Sequence, residues 1–254
     1  TYVFETGKLI RSVLPDCIIV YGGVHVTSLS AESLEESPEC DFIIRREAEL
    51  TLVELIEALK KGLTDFSHIR GLTWRKGEGT ITLNPDRDLF PELDELPTGF
   101  FGDLDLKRYI PHPTQYIQLP TYSVVTQRGC PYPCTFCEAH VALGKKLRQF
   151  SPRRVVEELK ILKYEKGARG IYFQDSTFTL NKKYVTELFE LMIKEGYKVT
   201  VFDRYNPNND WGWLEHSEYS DDFQVFLGDV RDYDSCLLYT SDAADDSLRV
   251  DLGG

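Results

Sequence analysis

The chain alternates short, continuously apolar segments with amphipathic helical segments, and this alternation limits the folds that it can adopt. Residues 17–21 are apolar, and in the segment 41–44 the residues after Asp41 are apolar too, without the every-second-residue pattern of a half-exposed strand. Such runs are typical of strands that are buried on both faces of a parallel sheet. Helical patterns stand beside them at residues 4–14 and 51–61, and Ser30 can cap a short helix between the two strands. The pattern predicts a doubly wound α/β unit, in which ligands bind beyond the carboxyl ends of the strands.

The second half of the chain repeats the alternation after an intervening hairpin and linker. Residues 69–84 predict a glycine-turn hairpin, and the Pro- and Asp-rich residues 85–113 predict a linker. The later elements are a strand at 122–126, a helix that begins at Ser151-Pro152, a strand at 171–173 and a helix at 181–195. This order predicts the first units of a β/α barrel, whose catalytic residues lie at the carboxyl ends of the strands.

Three cysteines follow the strand at 122–126 at close spacing: Cys130, Cys134 and Cys137. A closed structural zinc site uses four ligands, whereas a cubane iron–sulfur cluster has four irons to ligate. Three thiolates on one loop would therefore hold such a cluster with one iron open to a substrate or cofactor. Clustered cysteines in a chain of this length favour metal or redox chemistry in a reducing cytoplasm over a disulfide framework.

Two other metal sites are compatible with this cysteine pattern. A zinc site would recruit His140 as its fourth ligand, although the resulting spacing is poor for a zinc finger. An electron-transfer cluster would normally add a fourth cysteine. Cys17 and Cys40 are poor candidates for that ligand because both lie in the preceding domain, where they are better explained as small buried hydrophobic residues.

Charge and hydropathy exclude several other classes of partner. The net charge of −12 arises mainly after residue 200, where thirteen acidic residues stand against three basic ones. No basic patch with interleaved aromatic residues occurs, so we predict no nucleic-acid partner. We find no apolar run of about 18 residues and no signal peptide, and so predict no membrane span. The chain begins at Thr1 and its only methionine is Met192, which suggests a fragment that lacks its natural start.

The cysteine spacing, with Phe136 directly before the last cysteine, resembles the signature of the radical SAM family. Residues 126–129 and 171–178 are similar to the cobalamin-dependent branch of that family. The resemblance implies a [4Fe–4S] cluster on Cys130, Cys134 and Cys137, with S-adenosylmethionine (SAM) chelated by the open iron. One electron then cleaves SAM to a 5′-deoxyadenosyl radical, which abstracts hydrogen from a substrate. It also implies a small-molecule substrate and an electron donor such as flavodoxin or ferredoxin.

The same resemblance implies roles for four further residues. Phe136 would pack near the adenine of SAM. Gln174, Asp175 and Ser176 occupy the position at which the family contacts the methionyl amino group, and a carboxylate suits an ammonium group. For Asp175 an alternative is a strand-end cap for the next helix.

Residues 20–25, 41–44 and 47–51 resemble the second half of a cobalamin-binding domain. In that family, glycines at the positions of Gly22 and Gly23 lie against the nucleotide tail of the corrin. The family's Gly-Glu-Gly-Glu run is here Arg46 to Glu49, and the upstream segment with the cobalt-ligating histidine is absent. His25 is not that ligand and is expected to be an ordinary loop residue. Cobalamin would make methyl transfer or a rearrangement the expected outcome.

Residues 197–235 resemble a fragment of an NAD-dependent epimerase or dehydratase, in which Asp203 would hold the ribose and Asp229 would lie near the adenine. Such a site needs a glycine-rich turn about 20 residues upstream. Residues 178–190 contain no glycine, so we predict no dinucleotide binding. Residues 236–254 resemble translated sequencing adapter and are expected to be disordered.

The sequence therefore predicts an α/β protein that combines a partial, doubly wound cobalamin-binding-like domain with the first βα units of a radical SAM partial TIM barrel. The expected segments are 1–62 (cobalamin-binding-like), 63–115 (hairpin and linker), 116–196 (radical SAM), 197–235 (epimerase-like) and 236–254 (tail). The last two suggest an artefactual chimera. Because the later barrel strands are missing, we expect the chain alone to be poorly stable and inactive.

Overall fold

A computed structural model describes residues 2–77, 79–97, 104–112, 116, 118–204, 211–228 and 249–251. The chain divides into two compact units. The first comprises residues 1–91 and 129–147, and the second comprises residues 92–128 and 148–254. Within the described ranges, no helix combines the length and apolar character needed to cross a membrane.

The first unit is a four-stranded sheet with helices. Strands β1 and β2 are parallel, whereas β2–β3 and β3–β4 are antiparallel, in the order β1-β2-β3-β4. The predicted hairpin is therefore part of this sheet, because its first strand pairs with β2 (Phe42 opposite Trp74). Its elements are α1 (Tyr2–Val13), β1 (Val20–Tyr21), α2 (Val24–Ser28), α3 (Ser30–Glu36), β2 (Phe42–Ile44), α4 (Glu49–Lys60), β3 (Leu72–Lys76), β4 (Thr80–Leu83) and α5 (Ala139–Leu143).

Both faces of this sheet are covered, as the continuously apolar strands predict. Phe42 and Ile44 pack in one buried cluster with Leu55 of α4. Ile43, between them, points to a second cluster that contains Leu34 of α3 and Phe4 of α1. All three residues of β2 are buried for this reason, since side chains alternate across a strand. The strand predicted at 17–21 is shorter in the structure, where only Val20–Tyr21 pair with β2.

The main sheet of the second unit has two pairs of parallel strands, with helices along the chain between them. Strand β5 pairs in parallel with β8, and β9 pairs in parallel with β10. A separate two-stranded ribbon joins β6 and β7. The elements are β5 (Thr121–Val124), β6 (Gln127–Arg128), β7 (Arg148–Gln149), α6 (Pro152–Lys160), β8 (Gly170–Phe173), α7 (Lys182–Lys194), β9 (Lys198–Arg204), β10 (Phe223–Gly228) and β11 (Arg249–Asp251).

The helix predictions for this unit are confirmed, and the caps explain why. The Ser151 hydroxyl accepts a hydrogen bond from the backbone N–H of Arg154, with Pro152 at the first helical position. Asn181 caps α7 in the same way, through the N–H of Tyr184. The apolar faces of α6 and α7 then pack on the sheet: Val155, Val156, Leu159, Val185, Leu188 and Met192 are buried with Ile171, Phe173 and Val199.

One expectation for the end of the chain needs correction. The order of the five-stranded sheet is β10-β9-β11-β8-β5. Strand β11 lies between β8 and β9 and is antiparallel to both, with Val250 opposite Ile171 and Val199. Residues 249–251 are thus a strand, not the disordered segment that we expected, because they satisfy the backbone hydrogen bonds of both neighbours. Residues 229–248 lie outside the described part of the chain.

Candidate functional site

The three predicted metal ligands lie on one loop, residues 129–147, which we call the cysteine loop. The chain enters it from β6 and leaves it into β7, and these strands pair with Gln127 opposite Gln149 and Arg128 opposite Arg148. The ribbon therefore brings the two ends of the loop together. Since loop closure costs conformational entropy, a closed base reduces what must be ordered when a ligand binds the loop.

Close backbone contacts hold the loop just beyond this ribbon. The N–H of Cys130 donates to the carbonyl oxygen of Gly144 at 3.0 Å. Gly129 has φ +97°, and a Cβ built there would lie 2.2 Å from the carbonyl oxygen of Lys146. A residue with a side chain could not occupy this position without moving the opposite backbone, so glycine is required here.

The cysteines differ in exposure along the loop. Cys130 is buried, Cys137 is half-buried and Cys134 is exposed, and all three are free thiols. Cys134 and Cys137 share a turn, in which the N–H of Cys137 donates to the carbonyl oxygen of Cys134 at 3.2 Å. Among the described residues, no three His, Cys, Asp or Glu side chains are gathered into a ligand set. The donor set suits an iron–sulfur cluster, because three unpaired thiols from one loop are available, and the thiols would come together on binding.

Phe136 and His140 are two further side chains of the loop that are available to a ligand. Phe136 is 89% exposed, so its ring faces are free of packing within the chain. His140 lies in α5, and its Nδ1 is buried without a hydrogen-bond partner. An orphaned ring nitrogen is costly unless a ligand or water satisfies it. That atom is therefore the one structural observation that agrees with the zinc alternative.

The predicted SAM-contacting residues follow β8 in the second unit, and their side chains differ in exposure to solvent. The backbone N–H of Gln174 extends the β5–β8 ladder by donating to the carbonyl oxygen of Val124 at 2.9 Å. The side chains of Gln174 and Ser176 are exposed, while that of Asp175, between them, is half-buried. Gln174 and Ser176 are accordingly free to contact a ligand at this edge.

The Asp175 carboxylate is engaged within the protein. Its Oδ1 accepts from the backbone N–H groups of Thr126 (2.8 Å) and Gln127 (2.7 Å). Its Oδ2 accepts from the Thr126 hydroxyl at 3.0 Å. Burial raises the pKa of Asp175 to about 6, against the opposing effect of these hydrogen bonds. The carboxylate caps the end of β5, not the next helix: α7 is capped by Asn181.

A chain of side-chain amides continues from this contact and was not predicted. Gln127 donates to the carbonyl oxygen of Thr177 at 2.7 Å and accepts from the amide of Gln149 at 2.9 Å. Gln149 in turn accepts from the Asn181 amide at 2.8 Å. The chain connects the β6–β7 ribbon to the start of α7. The only signal in the sequence was a polar residue, Gln127, directly after an apolar strand.

Gly22 and Gly23 follow β1 in the first unit. Gly23 has φ +106° and a Cβ there would meet nothing within 4 Å. A Cβ at Gly22 would meet only the carbonyl oxygen of Ile44, at 3.9 Å. Packing within the chain therefore does not require glycine at position 22. Arg46 adopts φ 62°, so the backbone here keeps the conformation suited to the glycine that the resembling family has at this position.

The other predicted residues are accounted for as follows. His25 lies in α2, where its ring packs against Phe4 at 6.4 Å between centroids, instead of in a loop. Asp203 is in β9. Asp229 lies outside the described residues. The cysteine loop belongs to the first unit, and residues 174–176 belong to the second.

Comparison with known proteins identifies the segment that contains the cysteine loop. Residues 124–207 match the family model of the radical SAM superfamily. This segment belongs to the radical SAM superfamily. The match includes all three cysteines of the loop and residues 174–176, and it continues past residue 196, where we placed the start of an epimerase-like segment.

Comparisons over most of the chain find relatives that are named as enzymes. The chain is 35% identical to an uncharacterised methyltransferase of Pyrococcus horikoshii over 82% of its own length and 44% of that protein. It is 28% identical to an anaerobic magnesium-protoporphyrin IX monomethyl ester cyclase of Rubrivivax gelatinosus, over 75% and 34% of the respective lengths. The chain thus spans less than half the length of these relatives.

The fold also matches a solved radical SAM structure. The radical SAM methyltransferase TsrM of Kitasatospora setae, with tryptophan and a SAM analogue bound, aligns with a TM-score of 0.64 at 20% identity. The alignment covers 89% of this chain and 44% of TsrM. At this identity the likeness concerns the fold, and it confirms the α/β class predicted from the strand–helix alternation.

Proposed function

We propose that this chain is part of a cobalamin-dependent radical SAM enzyme that transfers a methyl group to a small molecule. The observation that carries the proposal is one loop with three free cysteines, Cys130, Cys134 and Cys137, and a base closed by paired strands. The loop lies in the segment that matches the radical SAM superfamily. The three thiolates would ligate a [4Fe–4S] cluster, and SAM would bind its open iron.

The bound cofactors would supply reductive cleavage of SAM, in which one electron breaks a carbon–sulfur bond to give methionine and a 5′-deoxyadenosyl radical. The chain would supply placement. Gln174 and Ser176, which are exposed beyond β8, would contact the methionyl end of SAM. The exposed ring of Phe136 would pack on the adenine.

Cobalamin is proposed from the first unit. Glycine at position 22 has no steric cause within the chain, which is expected where a ligand approaches the backbone closely. Gly22 and Gly23 would therefore lie against the nucleotide tail of the cofactor. The methyltransferase name of the Pyrococcus horikoshii relative favours methyl transfer over a rearrangement.

The remaining partners follow from the chemistry. An electron donor such as flavodoxin or ferredoxin would reduce the cluster, and no nucleic acid would be involved. The free thiols agree with a reducing compartment, for which we propose the cytoplasm.

A non-catalytic metal site is the second candidate, favoured by the unpartnered Nδ1 of His140. In that case Cys130, Cys134, Cys137 and His140 would bind zinc as four ligands. An electron-transfer cluster is the third candidate, and its spectrum would not change on addition of SAM.

Anaerobic reconstitution with iron and sulfide tests these proposals. We expect about four irons per chain, a visible absorption band, and a change in the electron paramagnetic resonance spectrum on addition of SAM. Cys134→Ala should lose iron, whereas Cys17→Ala, outside the loop, should retain it. A colourless zinc adduct that requires His140 would contradict the enzyme proposal, and a cluster without a SAM response would support electron transfer.

The epimerase-like resemblance of residues 197–235 stays a prediction, as does the adapter origin of residues 236–254. The radical SAM match runs to residue 207 and so overlaps the first eleven residues of that segment. Amplifying the locus from source DNA tests the chimera. An intact reading frame across residues 190–254 would contradict it.

A further inference from the structure

The end of β8 is tied to the chain that enters the cysteine loop. All three polar groups of Thr126 are bonded: its N–H and hydroxyl to Asp175, and its carbonyl oxygen to the N–H of Phe150 at 3.0 Å. Thr126 is fully buried. Gln127, the next residue, donates its N–H to the same carboxylate at 2.7 Å. Gln127 precedes Cys130 by three residues.

We propose that Asp175 is a positioning residue of the cysteine loop, and that it does not contact the amino group of SAM. The carboxylate fixes the two peptide N–H groups from which the loop departs, and thereby sets the path of the backbone toward Cys130. The proposal rests on the proposed function, because positioning matters only if the loop binds a metal cluster.

The geometry favours this role over an ammonium contact. An ionised carboxylate is an acceptor only, and here it meets three donors at 2.7–3.0 Å from two consecutive residues. The two neighbouring side chains, Gln174 and Ser176, are exposed, while Asp175 points back into the unit. The three residues therefore have different roles: Asp175 supports the loop, whereas Gln174 and Ser176 are exposed to a ligand.

The hydrogen-bonded amide side chains of Gln127, Gln149 and Asn181 also hold the β6–β7 ribbon, from which the cysteine loop extends. Gln127 is nearly inaccessible to solvent, and its side chain bonds both Thr177 and Gln149. Gln149 is the residue opposite Gln127 across the ribbon. Both strands of the ribbon are therefore anchored to the segment that joins β8 to α7, with Asp175 providing the charged contact.

Two substitutions at position 175 separate the roles. Asp175→Ala removes every acceptor. Asp175→Asn keeps an acceptor for the two N–H groups, and its amide can donate to the Thr126 hydroxyl, but it removes the charge that an ammonium contact needs. Positioning predicts that Asp175→Ala loses bound iron about tenfold faster than the unsubstituted chain in a chelator challenge, which equals about 1.4 kcal/mol. It also predicts that Asp175→Asn keeps both the iron and the SAM response.

A matched pair of threonines keeps the test decisive if Asp175→Ala does not fold. Thr126→Val removes a hydroxyl that bonds Asp175, whereas Thr177→Val removes a buried hydroxyl of the same unit that has no partner. Iron loss should be faster in Thr126→Val and unchanged in Thr177→Val.

The outcomes distinguish this inference from the proposed function. If the unsubstituted chain takes up no cluster, the proposed function fails. If it does, and Asp175→Ala folds and retains its iron like the unsubstituted chain, only the positioning role is overturned. Asp175→Asn with full iron but no SAM response would instead establish the ammonium contact. Equal iron loss in the two threonine variants would also overturn the inference.

Discussion

Replacing Gly129 by alanine should disrupt the base of the cysteine loop. The added Cβ would lie 2.2 Å from the carbonyl oxygen of Lys146 and 2.9 Å from its carbonyl carbon. Both are backbone atoms, so no rotamer change can relieve the overlap. The loop segment that contains Lys146 would have to move. This movement would disturb the neighbouring hydrogen bond from Cys130 to Gly144.

The expected cost has two parts. A residue other than glycine at positive φ costs about 1–2 kcal/mol. Displacing the opposite backbone would add the loss of a hydrogen bond, about 1 kcal/mol. We therefore expect Gly129→Ala to lower the free energy of unfolding by about 2–3 kcal/mol.

Gly62→Ala is the matched control, because Gly62 lies in the same unit with φ +68° and a Cβ there would meet nothing within 4 Å. It should cost only the conformational part, about 1–2 kcal/mol. Urea unfolding followed by circular dichroism measures both, and iron uptake should fall in Gly129→Ala alone. Equal destabilisation by the two variants, with full iron uptake in both, would refute the reasoning.

Three further predictions concern the two cores and the titrating groups. Burial raises the pKa of Asp175 to about 6, so the native state holds a proton that the unfolded chain releases between about pH 4 and 6. As the pH rises from 4.5 to 7, the free energy of unfolding of the unsubstituted chain, relative to that of Asp175→Asn, should therefore fall by at most about 3 kcal/mol, as measured from urea midpoints. A rise instead would mean that the hydrogen bonds to the carboxylate outweigh its burial. Burial raises the pKa of the Cys40 thiol to about 12, so iodoacetamide at about pH 8 should modify the exposed Cys134 and spare Cys40 until urea unfolds the chain; comparable rates would contradict this. Leu188→Ala, at a fully buried position, should cost about 2–5 kcal/mol in urea unfolding, against about 0.5 kcal/mol or less for the exposed Leu180→Ala.

The secondary structure around the site was largely predictable, because local sequence patterns such as helix caps and turns agree with the packing that the structure adopts. Ser151-Pro152 predicted the start of α6, and the structure has the cap and the proline in those positions. The hairpin prediction at 69–84 is confirmed by β3 and β4. The pairing of β3 with β2 was not predictable, because an antiparallel partner is chosen by the packing of both faces and not by a local pattern.

The end of the chain shows the opposite case. Residues 249–251 have no strand period in the sequence, yet they pair with both β8 and β9. Three residues contain too little pattern to indicate a strand. Their conformation depends on hydrogen-bonding groups offered by two strands that are distant in the sequence.

The sequence by itself indicated a resemblance to the radical SAM family and an α/β fold, because cysteine spacing and strand–helix alternation are local properties. Only the tertiary structure decided the hydrogen-bond partners of Asp175. Its neighbours Gln174 and Ser176 are equally polar in the sequence, but they are exposed while Asp175 is turned inward. There it meets the N–H groups of Thr126 and Gln127, which are 49 and 48 residues earlier in the chain. A hydrogen bond of that span depends on where the sheet places two strand ends, which no local pattern specifies.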